Sequence, residues 1–389
     1  MTYESTYTAA TSPYLSEEHD VLRTQVRRFV EQVVKPNGAD WEQRGCVPRE
    51  ILRQMGALGL LGLRYPASFG GAEMDSLASV VLAEELGRST YSGFAVTALV
   101  HTDMASVHIF GAGSDEQRQR WMPRLISGET ICAVAVTEPS AGSDVKAMRT
   151  TARREGGEYV LDGTKMFITN GVHGDLYCVA ARGPQQTPGK QAISMFVVER
   201  DRPGLEIGSP LDKHCWRSSD TAELTFKSCR IPSSSRLGAE GEGFGAIMRN
   251  FQNERIVLGA LAMGEAQAAL DLTLAHVKLR TAFGAPLWSK QAIRQRLALL
   301  TARVAAGREL VHRAAWLAAR GLDAIAEVSM VKAYCGELVN EVMYACLQFH
   351  GASGLMRDTP IERMSRDARA QSIGGGATEV MLDEVAKRL

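Results

Sequence analysis

The chain lacks most of the short signatures by which a sequence declares a function. Its seven cysteines, Cys46, Cys132, Cys178, Cys215, Cys229, Cys335 and Cys346, form no CxxC pair and are odd in number. That argues against a disulfide framework and for reduced thiols. There is no HExxH and no clustered histidine, so no metal site is expected. There is no GxxxxGK[ST] phosphate loop. GAGSDE at Gly111 carries only the first two glycines of GxGxxG and lies between helical segments, so a Rossmann dinucleotide site is not expected either. Charge of one sign is absent too: Lys plus Arg and Asp plus Glu both number 44. A neutral chain has no bulk attraction for nucleic acid or anionic lipid. No apolar run suggests a bilayer crossing. The N-terminus, MTYESTYTAATSPYLSEEHD, has neither a basic stretch before an apolar core nor early arginines, so neither a signal peptide nor a presequence is read. The expected location is cytoplasmic.

What is present is a change of texture. The 389 residues exceed one ordinary core and imply two or three lobes. From Leu15 to about Ile126 the spacing is helical. LSEEHDVLRTQVRRFVEQVVKP offers Ser16 as an N-cap and Pro36 as a stop, with Val21, Leu22, Val26, Phe29, Val30, Val33 and Val34 at helical intervals. PREILRQMGALGLLGL, SLASVVLAEELGRS and SDEQRQRWMPRLISG read the same way. Near Thr130 the pattern shifts to short β-branched runs such as ICAVAVTEP, YVLDGTKMFITNG and TAELTFKSCRIP, which are strand signals. From Gly243 the helical period returns. Helices, then strands, then helices give an α+β fold, mainly α, and speak against a doubly wound sheet. The divisions read as 1–129 helical, 130–239 β and 240–389 helical.

Three segments stand out. AVTEPSAGSD, with Val136, Thr137 and Ser143, is a strand end and polar turn. KMFITNG, with Phe167 and Thr169, is a second strand end whose Asn-Gly is also a plain hairpin signal. RAQSIGGGATEVM places three glycines before a helix, where backbone N–H groups can face an anion; a simple connector would look similar.

Together, and in this order, these segments resemble the acyl-CoA dehydrogenase family of flavoproteins. LRTAFGAPLWSKQAI and LQFHGASGL extend the resemblance over essentially the whole chain. It implies an N-terminal helical domain, a barrel-like middle β domain and a C-terminal four-helix bundle. It also implies FAD, an acyl thioester substrate, transfer of electrons to an electron-transfer flavoprotein, and a homotetramer. By resemblance, Val136 and Thr137 would bond the flavin edge, Thr169 would lie near its N5, and Phe167 would pack on the ring. Ser143 would contact the FAD or the substrate's phosphopantetheine arm. Arg280, Phe283 and Gln348 would reach the FAD of a neighbouring subunit, with Arg280 on its phosphates, and Gly351 would let backbone approach the adenine-dinucleotide part closely. Two positions depart from the pattern. Ala352 replaces a glycine, and Ala377 replaces a threonine for which Thr378 could substitute.

The family's chemistry removes an α proton and moves a hydride from the β carbon to the flavin. In much of the family the base lies in the glycine loop, but the matching position here is Gly375. Its amide remains available to a thioester oxygen. A minority resembling the long-chain and isovaleryl enzymes carries the base on a helix, and Glu254 in NFQNERIVLGALAMG falls there. Phe251, Val257, Leu258 and Leu261 share its face, so burial should raise its pKa. The plainer reading is a helix glutamate that pairs with an arginine or reaches solvent at the edge of the apolar stripe. Arg255, which helps shape the family's site, is equally readable as a salt-bridge partner. Gly375→Glu is expected to restore weak activity. A carrier-protein substrate, an oxidase or monooxygenase, and a catalytically silent flavin-binding subunit stay open at this point.

Overall fold

A computed structural model describes residues 12–183 and 192–389. The leader reading concerns residues that lie largely outside this range.

Seven helices come first: α1 Glu17–Phe29, α2 Lys35–Arg44, α3 Arg49–Ala57, α4 Ser76–Gly87, α5 Ser92–Leu99, α6 Ser106–Ala112 and α7 Asp115–Ile126. Ser114 caps α7 as its sequence suggests: its hydroxyl accepts from Gln117 N–H at 3.2 Å while Gln117 Oε1 accepts from Ser114 N–H at 2.8 Å. Pro36 is not a stop. A π-helical segment, Val30–Val34, joins α1 to α2, and Pro36 sits in the first turn of α2, where its missing N–H removes no bond. The run GALGLLGL is also not a continuous helix. α3 ends at Ala57, because glycines at 56, 59 and 62 undercut helix propensity, and Leu60, Leu61 and Leu63 go into the core as turns.

The strands β1 Cys132–Ala135, β2 Thr151–Glu155, β3 Glu158–Thr169, β4 Leu176–Arg182, β5 Ile193–Glu199, β6 Leu205–Ile207, β7 Thr221–Pro232 and β8 Arg236–Leu237 form one sheet. Its order is β6-β7-β3-β2-β4-β5-β8, with β1 joined to β4. Pairing is antiparallel except where β4 meets β1 and β2, so the sheet is mixed. β4 and β5 are buried along nearly their whole length because both faces are covered.

Three long helices follow: α8 Gly243–Leu279, then α9 Gln291–Ala319 and α10 Ile325–His350, with a small hairpin β9 Thr281–Ala282 and β10 Ala285–Pro286 between the first two. Two short helices end the chain, α11 Pro360–Ala368 and α12 Thr378–Ala386, packed on α10 and separated by the glycine loop. α8 corrects one sequence expectation. A window of it has mean hydropathy 1.3 and is long enough to cross a bilayer, but 83% of that window is buried inside the fold. α4, α9 and α10 cover it. α4 crosses so closely that a Cβ on Gly264 would lie 2.1 Å from the Glu84 carbonyl oxygen.

Candidate active site

β1 and β3 end side by side. The Met166 N–H donates to the Thr137 carbonyl at 2.9 Å, which brings the two strand-end motifs together. Between Lys165 and Ile168, β3 holds one residue more than β7 opposite it. Such a bulge re-aims a side chain. Phe167 occupies it at φ 60° with 66% of its surface exposed, and Thr169 is half-buried at the strand's end. A bulky residue in the left-handed region costs free energy, and such strain concentrates at functional sites.

Under these strand ends lies an ion pair that sequence reasoning missed. Lys165 is fully buried; its Nζ donates to the Val136 carbonyl at 3.1 Å and to Glu138 Oε1 at 2.8 Å. Glu138 also accepts from the backbone N–H of Arg149 at 2.5 Å and of Thr150 at 2.9 Å. Burial brings the Lys165 ammonium down to about 8, with the Glu138 carboxylate opposing that fall. Both residues stand inside the quoted motifs, AVTEPSAGSD and KMFITNG. Nothing in their spacing said that they would meet. Past the Glu138–Ala141 bridge the chain is exposed, and Ser143 lies there.

The first turns of α8 pack on this region. Phe244, Met248 and Phe251 lie against the cluster that holds Val136, Ala141 and Val145. One turn further, Glu254 is only 6% exposed, and its Oε1 accepts from Asn250 Nδ2 at 2.8 Å. Burial pushes its carboxyl up to about 8, against the lowering effects of the Arg255 charge and the Asn250 bond. No arginine pairs directly with the Glu254 carboxylate among the described residues, so the plain salt-bridge reading fails. Asn250, four residues before it on the same helix face, is its partner instead.

The glycine loop closes the other side. Gly375 has φ 71°, and a Cβ there would fall 2.4 Å from Leu258 Cδ1, one turn along α8 from Glu254. The loop's carbonyls are held by cations from two helices. Arg255 Nε donates to the Gly375 oxygen at 3.4 Å, and Lys332 Nζ donates to the Gly376 oxygen at 3.1 Å and to the Gln371 oxygen. The Gly375 N–H has no acceptor among the described residues. Lys332 was also missed, although a lone lysine in the apolar stretch VSMVKAYC was a readable signal. Trp216 completes the wall, 3.7 Å from where a Cβ on Gly374 would be, and its buried indole N–H has no partner among the described residues.

Two expectations change here. The crowding at Leu258 and the left-handed backbone leave no strain-free place for a side chain at 375, so a glutamate there cannot simply resume a base's position. The Thr378 hydroxyl is already committed, donating to Glu337 Oε1 at 2.6 Å rather than standing free.

Arg280, Phe283, Gln348 and Gly351 are not part of this cleft. Arg280 lies twenty-six residues beyond Glu254, about 39 Å along α8. The ends of α8 and α10 come together there, with the His276 and His350 rings stacked at 4.2 Å. Phe283 is 96% exposed, and Arg280, Gln348 and Gly351 are exposed as well.

Comparison with known proteins agrees with this architecture. The sequence patterns of the acyl-CoA dehydrogenase N-terminal, middle and C-terminal domains match residues 16–129, 133–229 and 241–389. The long-chain specific acyl-CoA dehydrogenase, mitochondrial, of Sus scrofa is 36% identical over 375 residues, covering 96% of this chain and 87% of its own. The crystal structure of acyl-CoA dehydrogenase from Geobacillus kaustophilus superposes with a TM-score of 0.93 at 38% identity, over 97% of this chain and 99% of that one. An FAD complex of PigA gives 0.92 at 26% identity, over 96% and 98%. With all three domains matched in order, and with its strand ends, α8 and glycine loop gathered around one cleft, this chain belongs to the acyl-CoA dehydrogenase family.

Proposed function

We propose that the chain catalyses FAD-dependent α,β-dehydrogenation of an acyl thioester, with Glu254 as the base that removes the α proton. The observation that carries this is a buried carboxyl at the end of the cleft, held by a neutral amide instead of a countercharge. A carboxylate so placed is costly unless it is used, and a pKa of about 8 suits a general base near neutral pH.

The residues present fit the flavin. Val136 and Thr137 offer backbone groups at a strand end fixed by Lys165, Thr169 offers a hydroxyl, and Phe167 presents an exposed ring on a strained bulge. FAD bound there supplies the hydride acceptor for the β carbon. The chain's own work is position and charge. Glu254 takes the α proton, which is only weakly acidic, so the carbonyl oxygen must be stabilised as that proton leaves. The free Gly375 N–H is the donor for that oxygen, and Arg255 and Lys332 place positive charge behind the loop. Ser143 lies on the exposed side, where it meets the cofactor or the phosphopantetheine arm. Electrons leave to an electron-transfer flavoprotein, and the enzyme works in the cytoplasm with its thiols reduced.

The remote set belongs to a second copy. Arg280, Phe283, Gln348 and Gly351 lie too far from their own cleft to hold a cofactor there, and they share an exposed end with Leu279, Tyr344 and Leu355. They fit the cofactor of a partner subunit in a homotetramer. Thr378 starts α12 beside the loop, its hydroxyl donated to Glu337 and not to the cofactor.

The test is Glu254→Gln. The variant should purify yellow and folded yet show flavin bleaching by acyl thioesters slowed by at least about 1,000-fold. Bleaching at the wild-type rate would remove Glu254 from the mechanism.

A further inference from the structure

On the far side of Asn250 from Glu254 lies a cavity of about 280 Å³, far more than one water requires. Its walls come from the turns after α3, from α4, from α6 with the π-helical segment before it, and from the first turns of α8. A cavity beside the base of an acyl dehydrogenase could be expected to be greasy. Its walls are largely apolar, with leucine, valine and phenylalanine side chains, but Arg64, Asp103, His108, Arg249, Asn250 and Asn253 break them with polar and charged groups.

The charges are built in. Asp103 is 3% exposed and is satisfied by hydroxyls, accepting from Ser79 Oγ at 2.7 Å and Thr102 Oγ1 at 2.6 Å. Arg64 Nη1 stands 3.8 Å from Asp103 and donates to the neutral Asn253 side chain. Asn253 in turn donates to the Asp103 carbonyl at 2.8 Å. A guanidinium has five donors, and the remaining ones on Arg64 have no acceptor among the described residues. His108 is 4% exposed, and its Nε2 is buried with no partner among the described residues. Burial brings its imidazole down to about 4, so it is neutral. Two guanidinium groups against one carboxylate leave the lining with one net positive charge. Unused donors, an orphaned imidazole nitrogen and net positive charge together match a carboxylate.

The cavity is also linked to the base. Asn250 lines it while its Nδ2 donates to Glu254 Oε1 at 2.8 Å. One side chain, Asn250, therefore separates the cavity from the carboxyl that would meet a substrate's α carbon.

We propose that this cavity receives the terminal carboxylate of a short dicarboxylic acyl thioester, with Arg64 as its main ligand. The inference rests on the reading of Glu254 as base. A plain alkyl end would leave the remaining Arg64 donors and the His108 Nε2 unmatched once water is displaced. Sites built for hydrogen bonding reject analogues that lack the group far more strongly than apolar pockets reject an added methylene. Asp103 then keeps Arg64 in place and sets the depth at which the carboxylate stops.

The experiment compares flavin bleaching by coenzyme A thioesters of four to six carbons, each as the terminal carboxylate and as the plain alkyl form. The wild type should show a kcat/KM at least tenfold higher for the carboxylates. Arg64→Met should lower that ratio by about 100-fold. Arg249→Met, at an exposed site that does not threaten the core, should lower it several-fold. A wild type that favours alkyl thioesters, or variants that leave the ratio unchanged, would overturn the proposal while Glu254 stands as base. If no thioester of either kind bleaches the wild type, the base reading fails and this inference goes with it. Should Arg64→Met fail to fold, Arg64→Lys and Arg249→Met carry the same ratio test.

Discussion

Glu254, the proposed base, also bears on stability. In the unfolded chain its carboxyl would lose its proton near the ordinary 4.5, whereas in the fold it does so near 8. Between those values the unfolded state binds fewer protons than the native state, so this group makes stability fall as pH rises from about 4.5 to about 8 and level off above. Glu265, raised to about 8 by burial, and Asp367, raised to about 7, act in the same direction. Glu254→Gln isolates the first contribution. It should melt higher than the wild type at pH 8, by on the order of 2 kcal/mol of stability, and close to it at pH 4.5. Flavin bleaching should depend on pH in the opposite sense, increasing through about pH 8 as the base ionises. A bleaching rate flat from pH 6 to 9 would contradict a base held in that environment. The sequence placed Glu254 on an apolar face and so foretold its burial. It could not supply Asn250 as the partner, because an asparagine four residues earlier is equally often a surface residue.

At the scale of elements, the strand ends depend on what lies beneath them. Lys165 couples β3 to the end of β1 through Val136 and Glu138. Replacing it with methionine removes the tie and leaves a buried carboxylate unpaired, which costs about 3–5 kcal/mol. Lys165→Met should therefore lose flavin on dilution and melt markedly lower, read by the flavin content of purified protein and by calorimetry. Retained flavin with an unchanged melting temperature would show that the pair does not fix the flavin edge. The same scale explains two departures from the sequence pattern. Pro36 looked like a helix stop, but the π turn before it had already shifted the hydrogen bonds. The long apolar stretch in α8 looked unremarkable residue by residue, yet it forms a helix of spanning length. It stays inside because α4, α9 and α10 enclose it.

At the scale of the whole molecule, each chain presents a cleft at one end of α8 and a set of exposed groups at the other. Leu279 is 83% exposed, Phe283 96% and Tyr344 75%, a concentration of apolar surface that isolated proteins rarely leave uncovered. In solution the protein should sediment as a tetramer. Phe283→Asp, which changes nothing in its own chain's cleft, should lower both the assembly state and the flavin content. A stable monomer with full flavin would separate the remote residues from the cofactor. Sequence alone determined the order of helices, strands and helices, the glycine run around position 375, the buried face of Glu254 and the family. These are local facts, written in periodicity, in backbone-permissive residues and in motif order. Only the tertiary structure decided that Glu138 meets Lys165, that Lys332 holds the glycine loop, that Leu258 crowds position 375 and that Arg64 faces a cavity behind Asn250. Each of those is a contact between segments tens to hundreds of residues apart, and no local pattern encodes which distant side chain will fill the space that packing leaves.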